Sequence, residues 1–149
     1  MWANVMFVAM SSVLLVYWFR YTCLLILSTR AIRDYAAAVA EANALRFPEI
    51  QQELAREIPE GAHLDAIQSA LDRDYRLLTC LMRHGAEFRM AGRKLEHRML
   101  VLDFQIMRAW YAVSSRTSSR YSRQALEEMV RIVRHFADTM GECAAARAH

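Results

Sequence analysis

WANVMFVAMSSVLLVYWF, residues 2 to 19, runs for eighteen residues without a charge, and its reading organises everything that follows. At 1.5 Å per residue the run forms a helix of about 27 Å, close to a hydrocarbon thickness of about 30 Å, so a transmembrane helix is the expectation. Arg20 comes next, and YTCLLILS then carries the apolar character on to Ser28. An arginine at the end of a span is expected to snorkel to the head groups. Tyr17, Trp18 and Tyr21 would mark the interface beside it, with Trp2 as their counterpart at the other end. Residues 1–4 offer no basic side chain, and Arg20, Tyr21 and Thr22 ahead of Cys23 lack the small apolar pattern of a lipoprotein cleavage site. The segment therefore reads as an uncleaved anchor. Nothing basic precedes it, whereas Arg20, Arg30 and Arg33 follow it, which predicts an inner (plasma) membrane protein with its N-terminus outside and its body cytoplasmic.

Outward from the anchor, the 149 residues are 55% hydrophobic with only four Gly and two Pro, which leaves little room for linkers, repeats or a second core. Residues 1–28 are expected to form the anchor and residues 29–149 one cytoplasmic helical bundle. Charge is uneven: residues 30–82 hold six Arg against nine acids, while residues 83–134 hold eleven Arg or Lys against five. Cys23, Cys80 and Cys143 are odd in number and far apart, so neither a disulfide framework nor a thiolate metal site is indicated. Cys23 and Cys80 lie among apolar residues and are expected to be buried.

The body reads as all-α. TRAIRDYAAAVAEANALR, residues 29–46, is rich in alanine and would extend the membrane helix as a stalk until Pro48 stops it. Pro48 and Pro59 bracket a short piece with Ile50 and Leu54 one turn apart. Leu64, Ile67, Leu71, Tyr75, Leu78 and Leu81 then form one helical stripe. Leu95, Met99, Leu102, Ile106, Ala109 and Val113 continue it in nearly the same phase across Gly85 and Gly92, so one unbroken rod is the alternative to a turn within residues 84–93. Stalk, 64–84, 94–113 and 122–141 match in length, which favours the turn and a body like a four-helix bundle. The last segment has the stripe Leu126, Met129, Val130, Val133, Phe136, Ala137 and Met140, with Gly141 as its stop. The core is expected to include Leu71, Leu78, Leu102, Ile106, Val133 and Phe136.

Candidate chemistry is sparse. Four isolated glycines cannot form a phosphate-cradling loop, and no nucleophile elbow occurs. Glu60 with His63 and His135 with Asp138 have ligand spacing, but a bundle metal site needs such motifs duplicated on facing helices. DRDYR, residues 72–76, contains an Asp72 to Arg76 pair in the favourable i, i+4 order, a structural explanation that competes with a partner-binding cluster. No cofactor, metal, small-molecule substrate or enzymatic activity is therefore assigned.

Two features point to contact instead. Leu100, Phe104, Met107 and Tyr111 form a second stripe beside that of Leu102 and Ile106, and two stripes imply two neighbours. These four residues are the expected partner-binding face unless both neighbours belong to the chain itself. SSRTSSRYSR, residues 114–123, brings Arg116, Arg120 and Arg123 into a basic segment suited to an anionic surface, with Ser122 as a cap for the last helix and Arg123 on its solvent face. The expected function is a membrane-anchored helical accessory protein that binds or stabilises a protein partner or forms a homo-oligomer. The alternative is a membrane-tethered binder of anionic lipid or nucleic acid, and the lack of aromatics alternating with these arginines argues against nucleic acid.

Overall fold

The computed structural model describes residues 1–28, 35–56, 61–84 and 94–147. Among these the chain is entirely helical, in six helices: α1 (Trp2–Ser28), α2 (Ala36–Ala42), α3 (Phe47–Ala55), α4 (Gly61–His84), α5 (Lys94–Ser114) and α6 (Ser119–Arg147). They pack as a bundle around α6, which touches each of the other five.

Helix α1 has 27 residues, about 40 Å, and is the one described helix long and apolar enough to cross a membrane. Its residues 2–18 are exposed on every side, and only its last turns, through Cys23, Ile26 and Leu27, pack against the body. A helix that is apolar all round and covered by nothing suits lipid as its solvent. Its hydroxyls agree with that: Ser12 Oγ donates to Val8 O at 2.8 Å and Thr22 Oγ1 to Trp18 O at 2.9 Å, so neither needs water.

The alanine-rich stalk is shorter than its composition predicts. Residues 29–34 lie outside the described part, and α2 ends at Ala42, before Pro48. Ala44 takes a positive φ of 51°, and Leu45 N donates to Ala40 O across the turn. Pro48 opens α3, because a proline in the first helical turn gives up a hydrogen bond that no helix makes there. α3 has no side-chain cap of its own. Asp74 of α4 replaces one, accepting from Arg46 N at 2.7 Å and Phe47 N at 2.9 Å.

The chain reverses between α4 and α5. Asp65 meets Tyr111, Asp72 meets Arg108 and Tyr75 stacks on Phe104, so rising numbers on α4 face falling numbers on α5. The unbroken rod is thereby excluded, although the expected turn at 84–93 falls largely outside the described residues. Leu71, Leu78, Val133 and Phe136 are buried as expected.

On α5 the expected faces are exchanged. Leu102 is 52% and Ile106 39% exposed, while Leu100, Phe104, Met107 and Tyr111 are all buried. Phase carries from one stripe to the next only along an unbroken helix. With the direction reversed, the bulkier stripe turns inward, where Phe104 and Tyr75 stack with ring centroids 3.9 Å apart.

Gly141 is also corrected. It does not stop α6, which runs on to Arg147. A Cβ at this position would stand 2.3 Å from Tyr35 Cβ, so glycine here lets α2 and its preceding residue approach α6 closely.

Candidate functional site

A buried polar cluster joins the apolar helix to the bundle. Arg20, in the α1 run, reaches between α5 and α6. Its Nη1 donates to Asp103 Oδ1 at 2.8 Å, and Nη1 and Nη2 take the two carboxylate oxygens of Glu128 at 2.5 and 2.7 Å. Met107 Sδ lies 3.9 Å from the same nitrogen. Asp103 is fully buried and Arg20 is 30% exposed. The guanidinium that was expected to snorkel is instead held by a bidentate carboxylate and a second, buried one.

Two carboxylates share one cation, so the ionised cluster carries a net negative charge. Burial pushes the Asp103 carboxyl up to about 6, and the negative charge of Glu128 adds to the rise, against the opposing pull of Arg20. Asp103 Oδ2 has no hydrogen-bond partner while both acids are ionised. Once protonated, Asp103 is placed to donate to Glu128. The cluster is therefore a proton-accepting junction between anchor and body. The buried Cys23 thiol lies close enough to feel the charges of all three groups, and among the described residues no group of three His, Cys, Asp or Glu is arranged to hold a metal ion.

A sequence signal for this junction existed. Arg20 is the one charge in residues 1–28, and Asp103 is the one acid in the apolar stretch MLVLDFQIM, residues 99–107. Lone opposite charges in two otherwise apolar stretches are costly unless they meet. Glu128 carries no comparable signal, because it sits on a helix with many charges.

The other sequence candidates are distributed differently from expectation. Leu100, Phe104, Met107 and Tyr111 are core residues whose two neighbours are helices of the same chain, so they offer no docking face. Tyr111 Oη donates to Asp65 Oδ1 at 2.6 Å, and burial with that bond raises its ionisation above the ordinary phenol. Arg123 is not on a solvent face: its Nη2 donates to Leu54 O and its Nε to Glu127 at 3.2 Å, which ties α6 to the end of α3. Arg116 and Arg120 are exposed. Ser122 does not cap α6, which begins at Ser119. It is buried, with its Oγ 3.3 Å from Ser114 Oγ.

Three residues of DRDYR have structural roles. Asp72 pairs with Arg108 at 3.1 Å rather than with Arg76, Asp74 caps α3, and Tyr75 stacks in the core. Asp138 accepts from Ala36 N at 2.7 Å, and His63 lies 3.5 Å from Glu53, while Glu60 is outside the described residues. Cys23 is buried as expected, but Cys80 is exposed, because its position on α4 faces away from α6. Two shallow grooves of about 250 and 350 Å³ flank α3, lined by residues such as Gln51, Ala55 and Arg134, and neither gathers an acid–base pair. Compared with protein-family models, curated proteins and solved structures, the chain matches none.

Proposed function

We propose that this is a single-pass inner-membrane protein with its N-terminus outside, whose cytoplasmic helical body acts by contact on a protein partner in the same membrane rather than by catalysis. One observation carries the reading: the apolar helix is fixed to the body by the Arg20, Asp103 and Glu128 cluster. A tether that only keeps a body near a bilayer works through a flexible linker. A buried ionic junction fixes the body's attitude to the membrane, and a fixed attitude matters for a face that must meet a neighbour at a set height and angle. The arginines that follow the span support the cytoplasmic side for the body.

The face on offer is the outer side of α5, where Leu102 and Ile106 are exposed and Arg98 stands one turn before Leu102. Its complement is an apolar helix face flanked by acidic side chains on another protein of the same membrane. A photo-reactive residue at position 102 tests this in native membranes. The expected result is an adduct with one polypeptide, formed in fixed ratio and lost when Ile106 is also changed to Asp. A chain that yields no adduct from position 102 or 106 and migrates as a monomer in mild detergent overturns the proposal.

A further inference from the structure

Helix α1 meets the body along a short stretch. Its apolar contacts there are Cys23, which is wholly buried, and Ile26 and Leu27, which are partly so, while residues 2–18 are exposed. Three side chains near one end of a 27-residue helix leave much of the docking to the ionic cluster. The state of that cluster therefore decides how firmly the anchor is held.

The cluster has a place for one more proton. Asp103 Oδ1 accepts from Arg20, and both oxygens of Glu128 are taken by the same guanidinium. Asp103 Oδ2 is buried with no partner, and a proton there is placed to reach Glu128. Ionised, the cluster sets two carboxylates against one cation. Protonated, it is neutral and leaves no buried oxygen of Asp103 unpaired.

Few groups face Asp103. Helix α1 brings Arg20 and the Cys23 thiol, and α6 brings Glu128. Helix α4 turns Asp65 and Asp72 to Tyr111 and Arg108, on another side of α5. Undocking returns Asp103 to water and to its ordinary value of 3.8, against about 6 in the docked cluster, where burial and Glu128 hold it up. Between those values the docked form binds the extra proton, so docking is favoured as pH falls and weakened as pH rises through about 6.

We infer that a proton on Asp103 locks α1 to the body, and that its loss lets the seated end of α1 part from α5 and α6 while the body stays folded. The inference rests on the junction as the element that fixes the body's attitude to the membrane, and it makes that attitude respond to pH.

Cys23 reports docking directly, because it is covered only while α1 is seated. In the full-length protein in mild detergent, Cys80→Ser with Cys143→Ser leaves Cys23 as the single thiol. A second chain, with those changes, Cys23→Ala and Val133→Cys, carries its single thiol in the core of the body. Labelling by N-ethylmaleimide is followed at several pH values, and the rate in the denatured chain at each pH, divided by the native rate, gives a protection factor free of the thiol's own ionisation. The expected result is weaker protection at Cys23 than at position 133. Protection of Cys23 should rise about tenfold between pH of about 8 and about 5, and become flat in Asp103→Asn, whose amide can donate to Glu128 as the protonated acid does. Equal protection at the two positions means that α1 leaves only when the body unfolds, and overturns the inference. Protection of Cys23 that ignores pH, or follows it equally in Asp103→Asn, overturns it as well. Absence of the photo-adduct from position 102, with Cys23 still responding to pH through Asp103, removes the contact reading and supports the lock.

Discussion

Arg20 and Asp103 are 83 positions apart in the chain and 2.8 Å apart in space, the acid wholly buried and the guanidinium 30% exposed. The cost of desolvating Asp103 is offset by the pairing, which makes the pair asymmetric to mutation. Removing the cation leaves two carboxylates facing each other without compensation. Arg20→Ala is expected to cost about 2 to 4 kcal/mol, below the range for wholly buried pairs because Arg20 is partly solvated. Denaturant unfolding in detergent measures it, and a loss under about 0.5 kcal/mol would show that the junction holds nothing together.

The same junction gives stability a pH dependence of definite sign. Asp103 has a folded pKa near 6, above its unfolded value, so between the two the folded state binds more protons. Its contribution is therefore most favourable below the unfolded value and is lost as pH rises through about 6. Asp103→Asn removes this dependence. The stability of the wild type relative to that variant is expected to improve by about 2 kcal/mol as pH falls from about 7 to about 4. Parallel pH profiles for the two proteins would contradict the assignment.

The exchanged faces of α5 yield the clearest contrast between neighbours. Phe104→Ala removes a ring stacked on Tyr75 at the centre of the body and is expected to cost about 3 to 5 kcal/mol. Leu102→Ser, two positions away and about half exposed, is expected to stay within about 0.5 kcal/mol. Thermal unfolding of both variants decides it, and equal shifts would mean that α5 is rotated from the arrangement described.

At Gly141 two effects oppose each other. Alanine is the better helix former by about 1 kcal/mol, which at an open position would stabilise α6. Here its methyl would fall 2.3 Å from Tyr35 Cβ, and the neighbour is the root of a side chain rather than its flexible end. Overpacking of this kind costs about 1 to 3 kcal/mol, so Gly141→Ala is expected to lower the melting temperature. A higher melting temperature would show that α2 yields without penalty.

The Asp74 cap is testable in the same way. Asp74→Ala strips two backbone N–H groups, those of Arg46 and Phe47, of their acceptor. A loss of about 1 to 2 kcal/mol is expected, with fraying confined to α3 in hydrogen exchange. Protection of α3 equal to the wild type would remove Asp74 from its start.

What could be read from the chain follows the range of the interaction involved. The apolar helix was legible because eighteen uncharged residues report their own preference for lipid, whatever else folds around them. The helical class and the inward faces of α4 and α6 were legible because each carries one dominant stripe, and period alone then fixes which side is buried. α5 carries two stripes of similar strength, and local pattern cannot choose between them. The choice was made by Tyr75, Asp65 and Arg20, each on another helix, reaching Phe104, Tyr111 and Asp103. Gly141 looked like a stop because a glycine near a helix end usually is one, and only the approach of Tyr35 gave it another role. The junction itself shows the division most sharply. Arg20 is the lone charge of residues 1–28 and Asp103 the lone acid of residues 99–107, yet from sequence Arg20 reads as a snorkelling residue and Asp103 has no partner, because an ion pair needs two partners within hydrogen-bond distance. Which acid meets which base is a property of how α1, α5 and α6 pack, and that is settled by the tertiary structure alone.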